Sequence, residues 1–503
     1  MRDFQVNATT VLALGVSLII LRTIWVIIYR LYLSPIARIP GPKLAALTFF
    51  YEFYYDAICR GRFLWKIQEL HRQYGPIVRI NPYEVHINDA NFYDEIYANG
   101  PHRPRNKVRF MSTHDESMFD SFKAETHRVR RAALSGSFSK QSIRALEPRI
   151  LETISQLTGR MSTLNGTGEV VNLKALYSGL TMDVIAQYCF GESMDNMKQD
   201  KFGKELLDFF HEMPQAHPIG RMFPWLFDII QKVPISFLAK MDPKLQPLAD
   251  YDKKISGQIS DVLAKEKQDG IRTVFHEMRD SKQLPEADKT LERFKSEAAI
   301  FLGAGTETTA AALTTLSFHL AENPAMLAKL REELKTVMGA PITVARLEPL
   351  PYLTGVIQEG IRLSFGVPGR LPRYAPTEDL CYAGYNLPRG LKTCMSASSY
   401  LIDTDEEHYP DPFKFDPERW IHGKASLSRH FVPFCKGSRQ CIGMNLAYAE
   451  LYLTVATVFS RFDLELVGTS RRDVEIAHDF FVGMPALDSK GVVARVVKDL
   501  GGQ

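Results

Sequence analysis

The residues best suited to chemistry lie near the C-terminus. Phe434, Gly437, Arg439, Cys441 and Gly443 stand in the pattern F-x-x-G-x-R-x-C-x-G. A cysteine acts as a metal ligand only as the thiolate, and a thiolate needs positive surroundings. Ile442, Leu446 and Leu453, with Ala447 and Ala449 between them, have the spacing of a buried helix that begins at the cysteine. The unpaired N–H groups and positive dipole end of such a helix favour an anion at its start. Gly437 and Gly443 let the backbone bend and pass close to a flat group. Arg439 can neutralise a carboxylate, and Phe434 can keep water from the sulfur. A lone cysteine is more often an inert buried thiol. The four residues around Cys441 favour instead a thiolate ligand to haem iron.

A second chemical signal is Ala304-Gly305-Thr306-Glu307-Thr308-Thr309, inside a helical pattern from Phe294 to Leu320. Glycines and threonines are poor choices in mid-helix, and a threonine hydroxyl can bond a carbonyl of its own helix and bend it. Such a local conflict inside a strong element often marks function. A hydroxyl at Thr308 beside a carboxylate at Glu307 suits the delivery of protons to a bound oxygen species. A surface glutamate among packed threonines is the plainer alternative.

At these segments the chain resembles the haem-thiolate monooxygenases of the cytochrome P-450 superfamily. That resemblance implies a mainly α fold with small β-sheets, in one catalytic unit, and haem b (iron protoporphyrin IX) as cofactor. It carries Cys441 over as the metal ligand and Glu307 and Thr308 as the catalytic acid–alcohol pair. In the family a tryptophan and an arginine four positions on reach the haem propionates. Here His127 stands for the tryptophan and Arg131 matches the arginine. Arg373 matches a further propionate-binding arginine, with Arg370 as a second candidate, and Phe434, Arg439 and Gly443 complete the cofactor-binding set.

Other elements must hold these residues in place. Glu359 and Arg362, three apart, share a helical face as an ion pair, and Arg419 in Phe415-Asp416-Pro417-Glu418-Arg419-Trp420 matches the third member of a buried triad in the family. Alternating apolar residues between Pro76 and Ile87 predict two short strands with a turn at Asn81-Pro82. The basic run Arg103, Arg105, Lys107 and Arg109 reads as a solvated loop. The resemblance also places Phe110, Met111, Phe119, Val367, Pro368, Leu371, Phe480 and Phe481 near a substrate pocket, and Arg128 and Arg130 near an acidic reductase. Residues 205 to 245 are aromatic and broken by prolines. They read either as two core-packed helices or, by resemblance, as an apolar lid.

The 503 residues are 45% hydrophobic and 24% charged, enough for a large core. A net charge of +3 argues against nucleic acid as a partner. Six cysteines without paired spacing fit free thiols in a reducing compartment. Val11 to Tyr29 is nearly all apolar, with Arg22 its one charge, long enough to cross a bilayer. Arg30, Arg38 and Lys43 follow it, so the charge rule keeps the bulk of the chain cytosolic. The expected layout is a luminal stretch 1–10, a signal anchor 11–30, a proline-rich hinge 31–45 and a catalytic domain 46–503. The expected place is the endoplasmic reticulum membrane, crossed once.

Segments such as PHRPRNKVRF and LPYLTGVIQEGIRLSFGVPGRLPR are similar to fungal secondary-metabolism members, the trichodiene-oxygenase-like group among them. The resemblance implies O2, an NADPH–cytochrome P-450 reductase and a lipophilic substrate, a terpenoid first, with polyketides and alkaloids as alternatives. A haem-thiolate enzyme that desaturates or works without O2, and a non-catalytic haem sensor, stay open as rivals. Glu307 and Thr308 weigh against the O2-independent one.

Overall fold

The computed structural model describes residues 8–108, 116–230, 232–264, 273–337, 339–390 and 393–501. Arg109, Phe110 and Met111 lie outside them. Helix α1 (Ala8–Ile28) opens the chain, with its large apolar side chains exposed. A wider, π-helical turn (Tyr29–Leu33) ends it, and the chain then docks. Ile36 and Ile39 are buried, Arg79 donates to the carbonyl of Arg30 at 2.7 Å, and the Arg79 N–H donates to Pro40 at 2.8 Å. The proline-rich stretch is therefore a fastened joint, not a free tether.

The helices that build the site are α2 (Ala124–Ser135), α3 (Lys140–Leu164), α4 (Leu173–Phe190), α5 (Leu291–Glu322), α6 (Pro351–Ser364) and α7 (Met444–Arg461). The local sequence sets their ends. Side chains of Ser139, Asn172 and Thr290 cap α3, α4 and α5 by accepting a first-turn N–H. Gly191 in the left-handed region ends α4. Helix α5 runs through the core, packed along α4 and against α6 and α7. Phe294, Leu302, Leu313 and Leu316 on it are wholly buried, each contributing roughly 1.5–3 kcal/mol.

A five-stranded sheet lies beside this core. Its order is Ile77–Arg79, Glu84–Ile87, Cys394–Ser396, Arg373–Tyr374 and Asn106–Lys107. The first two strands and their turn are the hairpin expected from the alternation. A second sheet joins Val170–Asn172, Val493–Asp499 and Phe462–Leu466, and a hairpin joins His478–Phe480 to Val482–Met484. The architecture is mainly helical with small sheets, as the sequence implied.

Residues 205 to 245 differ from two packed helices. Prolines split the region into pieces, among them Lys204–Glu212, His217–Met222, Pro224–Ile230 and Ile235–Met241. Trp225, Ile229, Ile230 and Phe237 on them are exposed. The triad is buried and paired. Arg362 lies 2.6 Å and Arg419 3.1 Å from the Glu359 carboxylate, and the Trp420 indole donates to it at 2.7 Å. Arg362 also donates to the carbonyls of Asp403 and Pro412, which locks the segment leading to the cysteine loop.

Candidate active site

The cysteine loop is a narrow turn that returns on itself. The Cys441 N–H donates to the Phe434 carbonyl at 2.9 Å. Gly437 makes this possible. Its φ is +76°, and a Cβ there would stand 2.0 Å from the Tyr97 carbonyl oxygen, so no other residue fits. Gly443 is different: its φ is −80°, and a Cβ would meet only the Cys441 Sγ, 3.9 Å away. Glycine there keeps bulk from the space over the sulfur. Phe434 packs its ring 5.3 Å from that of Tyr448 on α7.

Helix α7 begins at Met444, three residues later than the spacing suggested, and this places the sulfur just ahead of its first turn. Burial pushes the Cys441 thiol up, while N–H groups of Gly443 and Met444 and the Arg131 guanidinium favour the thiolate. Even so, Cys441 keeps an accessible surface. Across the core, Gly303 and Ala304 on α5 also face open space, although the helix around them is buried. Gly305 is explained by packing, since a Cβ there would press within 3.1 Å of Ile185 on α4.

Cationic and donor groups gather at the edge of the loop. Arg131 donates to the carbonyl of Gln440 at 2.7 Å, tying α2 to the residue before the cysteine. Arg439 donates to the carbonyls of Arg105 and Phe122. Arg373 donates to those of Leu371 and Pro372. His127 is buried, and burial together with Arg439, Arg131, Lys107 and Arg373 pushes its imidazole down to about 2. It is neutral at any working pH, with one N–H to donate. Among the described residues, Arg131, Arg373 and Lys107 have no carboxylate partner. A thiolate-competent cysteine, a cradle that a side chain at Gly443 would fill, and cations awaiting carboxylates fit haem b.

On α5 the Thr308 Oγ1 donates to the Ala304 carbonyl at 2.9 Å. Glu307 turns toward other elements. Its carboxylate lies 2.9 Å from Lys174 Nζ on α4 and 3.6 Å from His211 Nδ1 on the segment Lys204–Glu212. Burial raises its pKa, but Lys174 and His211 more than offset this and hold it at about 2. Glu307 and Thr308 are thus brought to one turn of helix but face different neighbours.

Several expectations are corrected. Two of the described members of the basic run are not solvated: Arg105 is 1% exposed and ion-paired to Glu378 at 2.6 Å, and Lys107 is buried. Arg370 does not join Arg373, because its guanidinium is held by Glu52 and Glu84 in a separate buried cluster with Arg221. Arg130 pairs with Asp288 at 3.0 Å and is buried, so only Arg128 of that pair is exposed to a partner. Phe480 is core, whereas Phe481 is half-buried at φ +81° with its ring against Phe119 and His217. Lys174 and His211 were missed, and Lys107 was read only as a member of a solvated basic run. Each reaches the site from a segment far away in sequence, and no local pattern marks it.

A family model described as Cytochrome P450 matches residues 40–488. The chain is 41% identical to a cytochrome P450 monooxygenase of Ascocoryne sarcoides, over 96% of this chain and 98% of that one. It is 38% identical to the N-acetyltryptophan 6-hydroxylase of Emericella nidulans, over 97% of each. It is 40% identical to the conidiogenone synthase of Penicillium rubens, over 91% of this chain and 94% of the other.

Proposed function

The chain belongs to the cytochrome P450 family, and from that premise we propose that Cys441 is the thiolate ligand of its haem iron. The protein is a haem-thiolate monooxygenase of the kind found in fungal secondary metabolism. The observation that carries the site reading is the sulfur itself, accessible and met by N–H groups of Gly443 and Met444 at the start of α7. Haem b, when bound, supplies the activation of O2.

The protein's own residues do the rest. Gly443 and Met444 stabilise the thiolate charge, and Phe434 shields it. Arg131, Arg373 and Arg439 hold the propionates by charge-assisted hydrogen bonds, and His127 donates one N–H to them. Thr308 Oγ1, bonded to the Ala304 carbonyl, offers a hydroxyl on the cleft side of α5. Glu307 passes protons toward it from the side of His211, which is 42% exposed.

Electrons come from an NADPH–cytochrome P450 reductase, for which exposed Arg128 offers a basic contact. The apolar span Thr9–Leu33, with mean hydropathy 2.5 and none of it buried, anchors the chain in the endoplasmic reticulum membrane, with the domain in the cytosol. The layout is then 11–30 anchor, 31–45 joint and 46–503 catalytic domain. The substrate is a lipophilic secondary metabolite, a terpenoid first. An indole-bearing substrate is the second reading, favoured by two relatives named as tryptophan-type hydroxylases.

The test is the spectrum of the reduced carbon monoxide complex, followed by product analysis with a reductase. A shifted Soret band that Cys441→Ser abolishes is the expected result. A band unchanged in that variant refutes the ligand assignment. Recovery of the protein in a soluble fraction with residues 1–45 intact refutes the anchor.

A further inference from the structure

The open face of α5 carries two charged residues toward its start. At about 100° per residue, Arg293, Glu297, Ala304 and Thr308 fall within about 60° of one another around the helix. The charged pair therefore continues the stripe on which Ala304 is exposed and Thr308 presents its hydroxyl. A rise of about 1.5 Å per residue sets Glu297 roughly 16 Å, and Arg293 roughly 22 Å, along the axis from Thr308. Both are buried, Arg293 at 4% exposure and Glu297 at 0%.

The two are paired with each other and still have bonds to make. Arg293 Nη1 donates to Glu297 Oε2, which also accepts the Met118 N–H at 2.9 Å. Arg293 Nε and Nη2 and Glu297 Oε1 are buried without a hydrogen-bond partner. Neighbouring acids are engaged elsewhere, Asp288 with Arg130 at 3.0 Å and Glu116 with the Ser296 hydroxyl at 2.8 Å. Nε and Nη2 form an edge of the guanidinium that can take both oxygens of one carboxylate. Burial pushes the Glu297 carboxyl up, against the pull of Arg293, the Met118 N–H and Arg130. That favours its neutral form and leaves the Arg293 charge for an incoming anion. Buried donors with no acceptor are costly, so a ligand that satisfies them binds the more tightly.

Resting on the monooxygenase reading above, we propose that Arg293 and Glu297 determine specificity for an elongated, lipophilic carboxylic acid. Its carboxylate takes the Nε–Nη2 edge of Arg293, while Glu297 holds Arg293 and Met118 in place through Oε2. Its apolar body lies along the stripe, and the carbon beside Thr308 is then on the order of 20 Å from the acid group. Residues 116–121 close this end of the stripe, with Met118 on Glu297 and the Phe119 ring 5.9 Å from that of Phe481. A few polar groups in an otherwise apolar site fix the orientation of a ligand, and orientation decides which carbon is oxidised.

The experiment uses the full-length haem-loaded protein and follows the Soret shift on titration. The probes are hexadecanoic acid and its methyl ester, which differ only at the carboxyl group. The wild type should bind the acid at least about tenfold more tightly than the ester, as expected of charge-assisted hydrogen bonds. In Arg293→Gln the preference should fall to within about threefold, with the ester bound as in the wild type. Arg293→Lys keeps the charge without the fork and should retain only part of the preference. A wild type that binds neither probe, or binds the ester as tightly as the acid, overturns the proposal. So does an R293Q protein in which acid and ester weaken together, which leaves Arg293 as a brace for Met118. Should R293Q fail to fold by far-UV circular dichroism, the double variant R293Q/E297Q, which strands no charge, carries the same comparison, and the wild-type ratio decides if neither folds. A wild-type protein without a Soret band overturns the monooxygenase reading itself.

Discussion

Lys174 Nζ sits 2.9 Å from the Glu307 carboxylate and 3.0 Å from the Glu307 carbonyl, so one side chain of α4 grips both ends of the acid on α5. At neutral pH the acid is ionised. Glu307 then works by receiving a proton and passing it on, and its environment decides the pH range over which it can.

Replacing Lys174 by Met tests this. With the lysine gone, burial is less opposed and the Glu307 pKa rises from about 2. A group that must be ionised to accept a proton then fails earlier as pH falls. The acid limb of the kcat–pH profile should move upward by about one unit or more. Glu307→Gln should lower kcat by roughly 10² or more with the carbon monoxide spectrum intact. An acid limb that stays in place in K174M removes Glu307 from the proton path.

The two glycines of the cysteine loop make opposite predictions. Gly437→Ala drives a Cβ into the carbonyls of Tyr97 and Ala98 at φ +76°. It should cost more than about 1 kcal/mol and abolish the thiolate spectrum through loss of the folded loop. Gly443→Ala strains nothing in the backbone and meets only the sulfur. It should leave thermal unfolding near wild type while lowering haem occupancy. Equal thermal losses in both variants contradict this division.

What the sequence revealed follows from range. The cysteine motif and α5 were legible because their chemistry or period is written in consecutive residues. Lys107 was not, because its partner Arg373 comes from a strand far along the chain. Arg370 and Arg373 read as a pair, but three residues of extended chain turn side chains to opposite faces, and Arg370 went to Glu52 and Glu84. The aromatic stretch after residue 205 carries a helical composition, yet its prolines cut it into short pieces that no period reports.

Glu359→Gln should be severe. The carboxylate accepts from Arg362, Arg419 and Trp420, and neither arginine is ion-paired to another carboxylate among the described residues. Loss of its charge leaves two buried guanidiniums unbalanced, at roughly 3–5 kcal/mol. Little haem-loaded protein should be recovered, read as Soret absorbance per milligram. The double variant Glu359→Gln with Arg419→Met should recover part of the loss, because it removes one of the stranded charges.

Asp403 offers a stability test with a definite sign. It is wholly buried beside Arg362, and one carboxylate oxygen has no partner. Burial pushes its pKa up to about 8, against the pull of Arg362 and the Val432 N–H and with help from the Glu359 charge. The unfolded chain releases this proton near the ordinary value of 3.8, whereas the folded protein keeps it. The folded state therefore binds more protons between those limits, and this group's contribution falls as pH rises from about 4 to about 8. Asp403→Asn removes the titration and keeps the shape. Relative to wild type, its Tm should rise between pH 5 and pH 8. A Tm difference independent of pH over that range means that Asp403 is already ionised in the folded protein and held by Arg362.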